Sequence, residues 1–214
     1  QNQTVPEQYQ GVFRHLYLDI GWFGVLSGST LAFLSIYATR LGASGTQIGM
    51  IGAAPAIINL IFALPAGVWL GKRRIDRSVF WAALTHRLFY ALLIPMPFLF
   101  IPETQVWLII LVTLVMNIPG TALGVGFTAL FAGAVPPVWR GYVAGIRNAV
   151  FSVTQIATSL LCGWILVSLP RDFGYAIVFA IGCLGGMMSA VHLYFVHPIE
   201  EENIVTAAEE SPDI

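Results

Sequence analysis

Six long apolar runs decide what this chain can become. They cover residues 16–39, 47–70, 78–101, 106–135, 142–169 and 175–196, and each exceeds the roughly 20 residues that a helix needs to cross the hydrocarbon core of a bilayer. The short segments between them, 40–46, 71–77, 102–105, 136–141 and 170–174, carry the Gly and Pro that punctuate helices. With 57% hydrophobic and only 10% charged residues, the chain holds more apolar side chain than one globular core could hide, so lipid is its solvent. The expected fold is all-α: a polytopic membrane bundle of six transmembrane helices at residues 16–197. A polar cytoplasmic N-terminal segment, residues 1–15, precedes it. An acidic cytoplasmic tail or the start of a central linker, residues 198–214, follows, with Glu200, Glu201, Glu202, Glu209, Glu210 and Asp213. A net charge of −1 offers no dense basic face for a phosphate backbone, so nucleic acid is set aside as a partner. Cys162 and Cys183 lie in apolar runs with no neighbouring ligand at metal spacing, and read as small buried apolar residues.

Orientation follows from Lys and Arg in the loops, which resist translocation. With a cytoplasmic N-terminus, that side holds six (Arg14, Lys72, Arg73, Arg74, Arg77, Arg140) and the far side two, Arg40 and Arg171. Both termini are therefore expected in the cytoplasm, and the chain in a plasma (inner) membrane. Arg87 and Arg147 fall within runs three and five, in their cytoplasmic halves, where long side chains can snorkel to the interface.

Sliding the chain against itself by 96 residues lays run one on run four and run two on run five. Gly24 and Gly28 meet Gly120 and Gly124; Gly45, Gly49 and Ala53 meet Gly141, Gly145 and Ala149; Asn59 meets Gln155; Leu64, Gly67 and Leu70 meet Leu160, Gly163 and Leu166. Because runs one and four cross in opposite senses, the pattern predicts two inverted three-helix repeats, a recurring transporter plan.

Residues 64–74, Leu-Pro-Ala-Gly-Val-Trp-Leu-Gly-Lys-Arg-Arg, hold Gly67 ahead of the basic Lys72, Arg73 and Arg74 and are similar to the loop 2–3 signature of the major facilitator superfamily, with Gly71 standing where that family usually carries Asp. Leu41-Gly42-Ala43-Ser44 with Gln47-Ile48-Gly49 resembles the family's link from span one to span two, and Pro136 with Arg140-Gly141 its loop before span five. The Gly-Pro antiporter pattern of span five is absent. The resemblance spans about residues 12–198 and implies one six-helix half of a twelve-helix transporter that moves a small solute by alternating access. The second half would come from the same polypeptide, a second copy or another chain. It also implies that helices one and four line the central cavity, two and five border the other half, and three and six stand outside. Proton or sodium is the candidate coupling ion, and no cofactor, metal or enzymatic activity is implied. A non-transporting six-helix subunit with an assembly or scaffolding role is the alternative.

Polar side chains recur along three runs. Thr113, Asn117, Thr121, Gly124 and Thr128 share one face of run four; Asp19, Ser27, Thr30 and Tyr37 fall close together on run one; Asn148, Ser152, Gln155 and Ser159 repeat along run five. Ser27, Thr30, Asn117, Thr121 and Gln155 are the candidate substrate contacts, against the competing reading that small polar residues and glycines glue helices together in lipid. Asp19 is the one carboxylate within an apolar run. It reads either as an acid about one turn from the cytoplasmic end that pairs with Arg147 and holds an inner gate, or as a proton-coupling group. Arg87, beside His86, is a third candidate for coupling or gating. His192 would need a nucleophile in a Gly-x-Ser-Gly setting to make a protease, and run four offers only Gly-Val-Gly-Phe-Thr.

Overall fold

A computed structural model describes residues 6–198, and among these the chain crosses as six spans. The first helix starts where amphipathy begins, ahead of the apolar run. In α1 (Glu7–Leu26), Tyr9, Val12, Phe13 and Leu16 recur at helical spacing, and Phe13 and Leu16 are buried against Val79, Leu130, Val143 and Leu193. Residues 7–15, expected as a polar segment before the bundle, are thus part of its first helix. A π-helical turn, Ser27–Leu31, widens the same rod before α2 (Ala32–Arg40) completes the span. The span ends on Gly42 at φ 92°, a left-handed conformation that glycine adopts without a Cβ clash. There Ala43 N donates to Ala38 O at 3.0 Å and Gly42 N to Thr39 O at 3.0 Å, which closes the helix.

Ser44 and Gln47 form a reciprocal capping box that starts α3 (Gly45–Gly71). The third span is not one continuous α-helix. α4 (Ile75–Leu88) runs into a 3-10 turn, Phe89–Leu93, and a short α5 (Met96–Leu99), because Pro95 and Pro97 remove donors and restrict the residues before them. α6 (Pro102–Ala134), α7 (Pro137–Ser168) and α8 (Arg171–Tyr194) all start at a proline, at N1 in α6 and α7 and at the N-cap, Pro170, in α8. The acidic tail read from the sequence lies, from residue 199 on, outside the described residues.

The spans form an open arc. α3 packs on α6, α6 on α4, α4 on α8, α8 on α1, and α1 on α7. Exchanging the first three spans for the last three leaves this order unchanged. The two end helices, α3 and α7, are only 17% and 11% buried along their most apolar windows, against 39% and 44% for the third and sixth spans. Leu60, Leu64, Leu160 and Val167 project fully from these end helices. The interior is aromatic: Tyr37, Tyr175 and Phe179 pack together where α2 meets α8, with ring centroids 4.4 to 6.0 Å apart, and the Tyr37 hydroxyl donates to Gln105 of α6.

Candidate functional site

Three charged side chains converge at one depth. α1, α4 and α7 belong to odd-numbered spans and so start at the same face of the bundle. Asp19 and Arg87 each lie twelve residues, and Arg147 ten, beyond the first residue of their helices. At 1.5 Å per residue that places all three about 15–18 Å from the same ends of their helices. Asp19 lies one turn into the apolar run, while its helix begins nine residues before that run. Arg87 and Arg147 do not snorkel. They are 3% and 8% exposed, and Asp19 is 3% exposed.

Each charge meets a different set of partners. Arg147 Nη2 lies 3.5 Å from Asp19 Oδ2, and its Nη1 donates to the Leu16 carbonyl at 3.1 Å. Its guanidinium also stands 4.5 Å from the centre of the Phe127 ring and 5.8 Å from that of Phe131. The other carboxylate oxygen of Asp19 accepts from the Ser189 hydroxyl of α8. Arg87 lies 5.8 Å from the Phe23 ring centre, and its Nε and Nη1 are buried with no acceptor among the described residues. All three line a cavity of about 380 Å³ that α1 and α6 face from opposite sides, with Phe23, His86, Asn117, Gly120, Gly124 and Phe127 also in its wall.

A second groove of about 390 Å³ runs along the α3 side of α6. Asn117, Gly120 and Gly124 belong to both spaces, and Asn59, Thr121 and Thr128 line the groove. The polar stripe of α6 is mostly satisfied within its own helix: Asn117 donates to Thr113 O at 2.6 Å, Thr121 to Asn117 O at 3.0 Å and Thr128 to Gly124 O at 3.2 Å.

The five expected substrate contacts do not form one cluster. Asn117 and Thr121 line open space. Ser27 accepts from the Gln155 amide at 3.1 Å, and Ser159 donates to the Gly28 carbonyl at 3.0 Å, so these groups seal α7 against the π-helical turn. Thr30 is fully buried against Gly182 of α8, where a Cβ on that glycine would collide with the Thr30 and Ser29 hydroxyls. Further down α7, Asn148 and Ser152 face outward. The third span, which the resemblance places outside the cavity, supplies His86 and Arg87 to its wall.

The loop residues serve the helix ends. Arg140 donates to Val135 O at 3.0 Å and Ala132 O at 2.6 Å, capping the last turn of α6 where carbonyls lack partners. A Cβ on the adjacent Gly141, or on Gly67 or Gly71, would meet no neighbour within 4 Å. Lys72 caps α3, and Arg73 lies 5.1 Å from the Trp69 ring centre. Asp76, assigned to the loop by its polarity, is buried in the first turn of α4. It accepts from Arg74 at 3.0 Å and the Arg77 N–H at 2.8 Å, and lies 3.1 Å from His197 Nδ1. This carboxylate ties the end of the sixth span to the second loop, and its signal in sequence was its place at the start of a helix.

An all-helical integral membrane bundle with charges buried among its spans is the form of a polytopic transporter. The sequence description of the Major Facilitator Superfamily matches residues 20–212, which is most of the chain, and the chain belongs to that family of transporters. No curated protein and no solved structure matches it.

Proposed function

We propose that these six spans are one half of an alternating-access transporter for a small solute, built as two inverted three-helix repeats. A second six-helix half, from the same polypeptide, a copy or another chain, would close over α3 and α7. The reading places both termini in the cytoplasm and the protein in the plasma membrane, with proton or sodium as coupling ion. The observation that carries it is the cavity walled by buried charges in a bundle whose end helices are left largely unburied. The symmetric packing order supports the repeat. Asn117 and Thr121 serve as solute contacts, while Ser27, Thr30 and Gln155 hold the moving helices together. Asp19 and Arg147 form the gate or coupling pair.

Accessibility tests this. Gly124 lines both spaces, and a Cβ there meets nothing within 4 Å, so Gly124→Cys introduces a thiol with little disturbance. In a Cys162→Ala, Cys183→Ala background, with the chain in its complete assembly, an impermeant maleimide applied from either side of a sealed vesicle should label it. Labelling from one side alone, however long the exposure, would indicate a static subunit and overturn alternating access.

A further inference from the structure

We propose that the central cavity takes the carboxylate of a small organic monoanion with an apolar body, and that Arg87 is its receptor. The role of that anion as cargo rests on the transport reading above; its binding does not.

The inference starts from the charges. A guanidinium has five donors and no acceptor of its own, and leaving it buried without one is costly unless an anion compensates. The carboxylate in the wall is Asp19, and both of its oxygens are engaged, one by Ser189 and one by Arg147. Arg147 is further satisfied by Leu16 O and the Phe127 ring. Arg87 also feels the charge of Asp19, but its Nε and Nη1 find no acceptor among the described residues. Counting Asp19, Arg87 and Arg147, the wall carries one positive charge in excess, and a single negative charge completes it.

Geometry narrows the guest. An arginine donor gives a carboxylate a charge-assisted hydrogen bond, and because Nε and Nη1 lie on different edges of the guanidinium the guest accepts at one edge of it. A dianion such as a phosphate monoester would need a second uncommitted cation, and Asp19 already holds Arg147. Around the charges the wall is apolar, with Phe23, Leu123, Phe127 and Leu193. About 380 Å³ suits a compact molecule, near the lower end of small-ligand pockets. His86, the residue before Arg87, also lines the cavity, and its buried Nδ1 lacks a partner among the described residues.

The test uses the chain purified in its native assembly, with benzoate as probe and benzamide, of the same shape but neutral, as control. Millimolar benzoate should raise the thermal midpoint by about 3 °C, and benzamide should leave it unmoved. Arg87→Gln should weaken benzoate binding about 10- to 100-fold, the loss of a charge-assisted hydrogen bond, and Arg87→Lys should retain part of it. Equal shifts from benzoate and benzamide on the unaltered chain would overturn the proposal without any variant having to fold. So would inorganic phosphate binding more tightly than benzoate, or an anionic phospholipid protecting in place of it. Arg87-dependent binding of benzoate with no exchange across proteoliposomes would uphold the site and refute the transport reading.

Discussion

Neutralising Asp19 should unbalance the cavity more than neutralising its partner. Asp19→Asn leaves Arg87 and Arg147 as two uncompensated cations facing one space, whereas Arg147→Gln leaves one acid and one base there. Removing one member of a buried ion pair costs about 3–5 kcal/mol. The 3.5 Å separation is long for a charge-assisted bond, and Arg147 keeps its bond to Leu16 O and its aromatic contacts, so Asp19→Asn should fall near 3 kcal/mol on that scale, about 6–12 °C in thermal midpoint for a chain of this size. Arg147→Gln should cost about 2 kcal/mol, because Arg87 still balances the acid and Ser189 still donates to it. The double variant Asp19→Asn, Arg147→Gln restores the original excess of one positive charge. It should recover at least half of the summed loss, a coupling of about 2.5 kcal/mol or more. Thermal unfolding of the four proteins in one detergent reads this cycle directly. Strictly additive losses, or a harmless Asp19→Asn, would refute the claim that the pair is buried and mutually dependent. An Asp19→Asn protein that folds normally yet loses pH-driven uptake would assign the acid to proton coupling instead.

Further outcomes follow from close packing and orientation. Gly185 lets α8 approach α1, where a Cβ would come within 2.9 Å of the Trp22 carbonyl and the Val25 side chain, so Gly185→Ala should destabilise by about 1–3 kcal/mol, while Gly124→Ala should stay within about 0.5 kcal/mol; both are read as shifts in thermal midpoint. Tyr37→Phe strips Gln105 Oε1 of its buried donor and should cost about 1–2 kcal/mol by the same measurement. Single cysteines near Glu103 and Arg171 should react with an external impermeant reagent, and those near Arg74 and Arg140 should not; external labelling at Arg74 in intact cells would reverse the topology.

The number of spans was legible because lipid imposes a length that hydropathy reports directly. Their ends were less so. Gln8, Gln10, Arg14 and His15 dilute the hydropathy of the first helix although Tyr9, Val12, Phe13 and Leu16 carry its amphipathic pattern. The break in the third span was written in Pro95 and Pro97, but apolar content masks it. The π-helical turn has no comparable signature beyond Ser-Gly-Ser-Thr. At the site, Asp19, Arg87 and Arg147 stood out as charges among apolar residues. Their common depth did not, because it depends on where three separate helices begin. Small polar residues misled for a related reason: Thr30 and Asn117 look alike along a helix, and only the packing of α8 separates a buried contact from a cavity wall.

That these spans are half of a working unit is tested most directly by the composition of the particle extracted from its own membrane. Native mass spectrometry after mild solubilisation should find this chain joined to a second six-span half, covalently or as a partner, with α3 and α7 protected from hydrogen exchange along the faces they expose alone. A folded, long-lived particle containing these six spans and nothing else, with those faces freely exchanging, would contradict it.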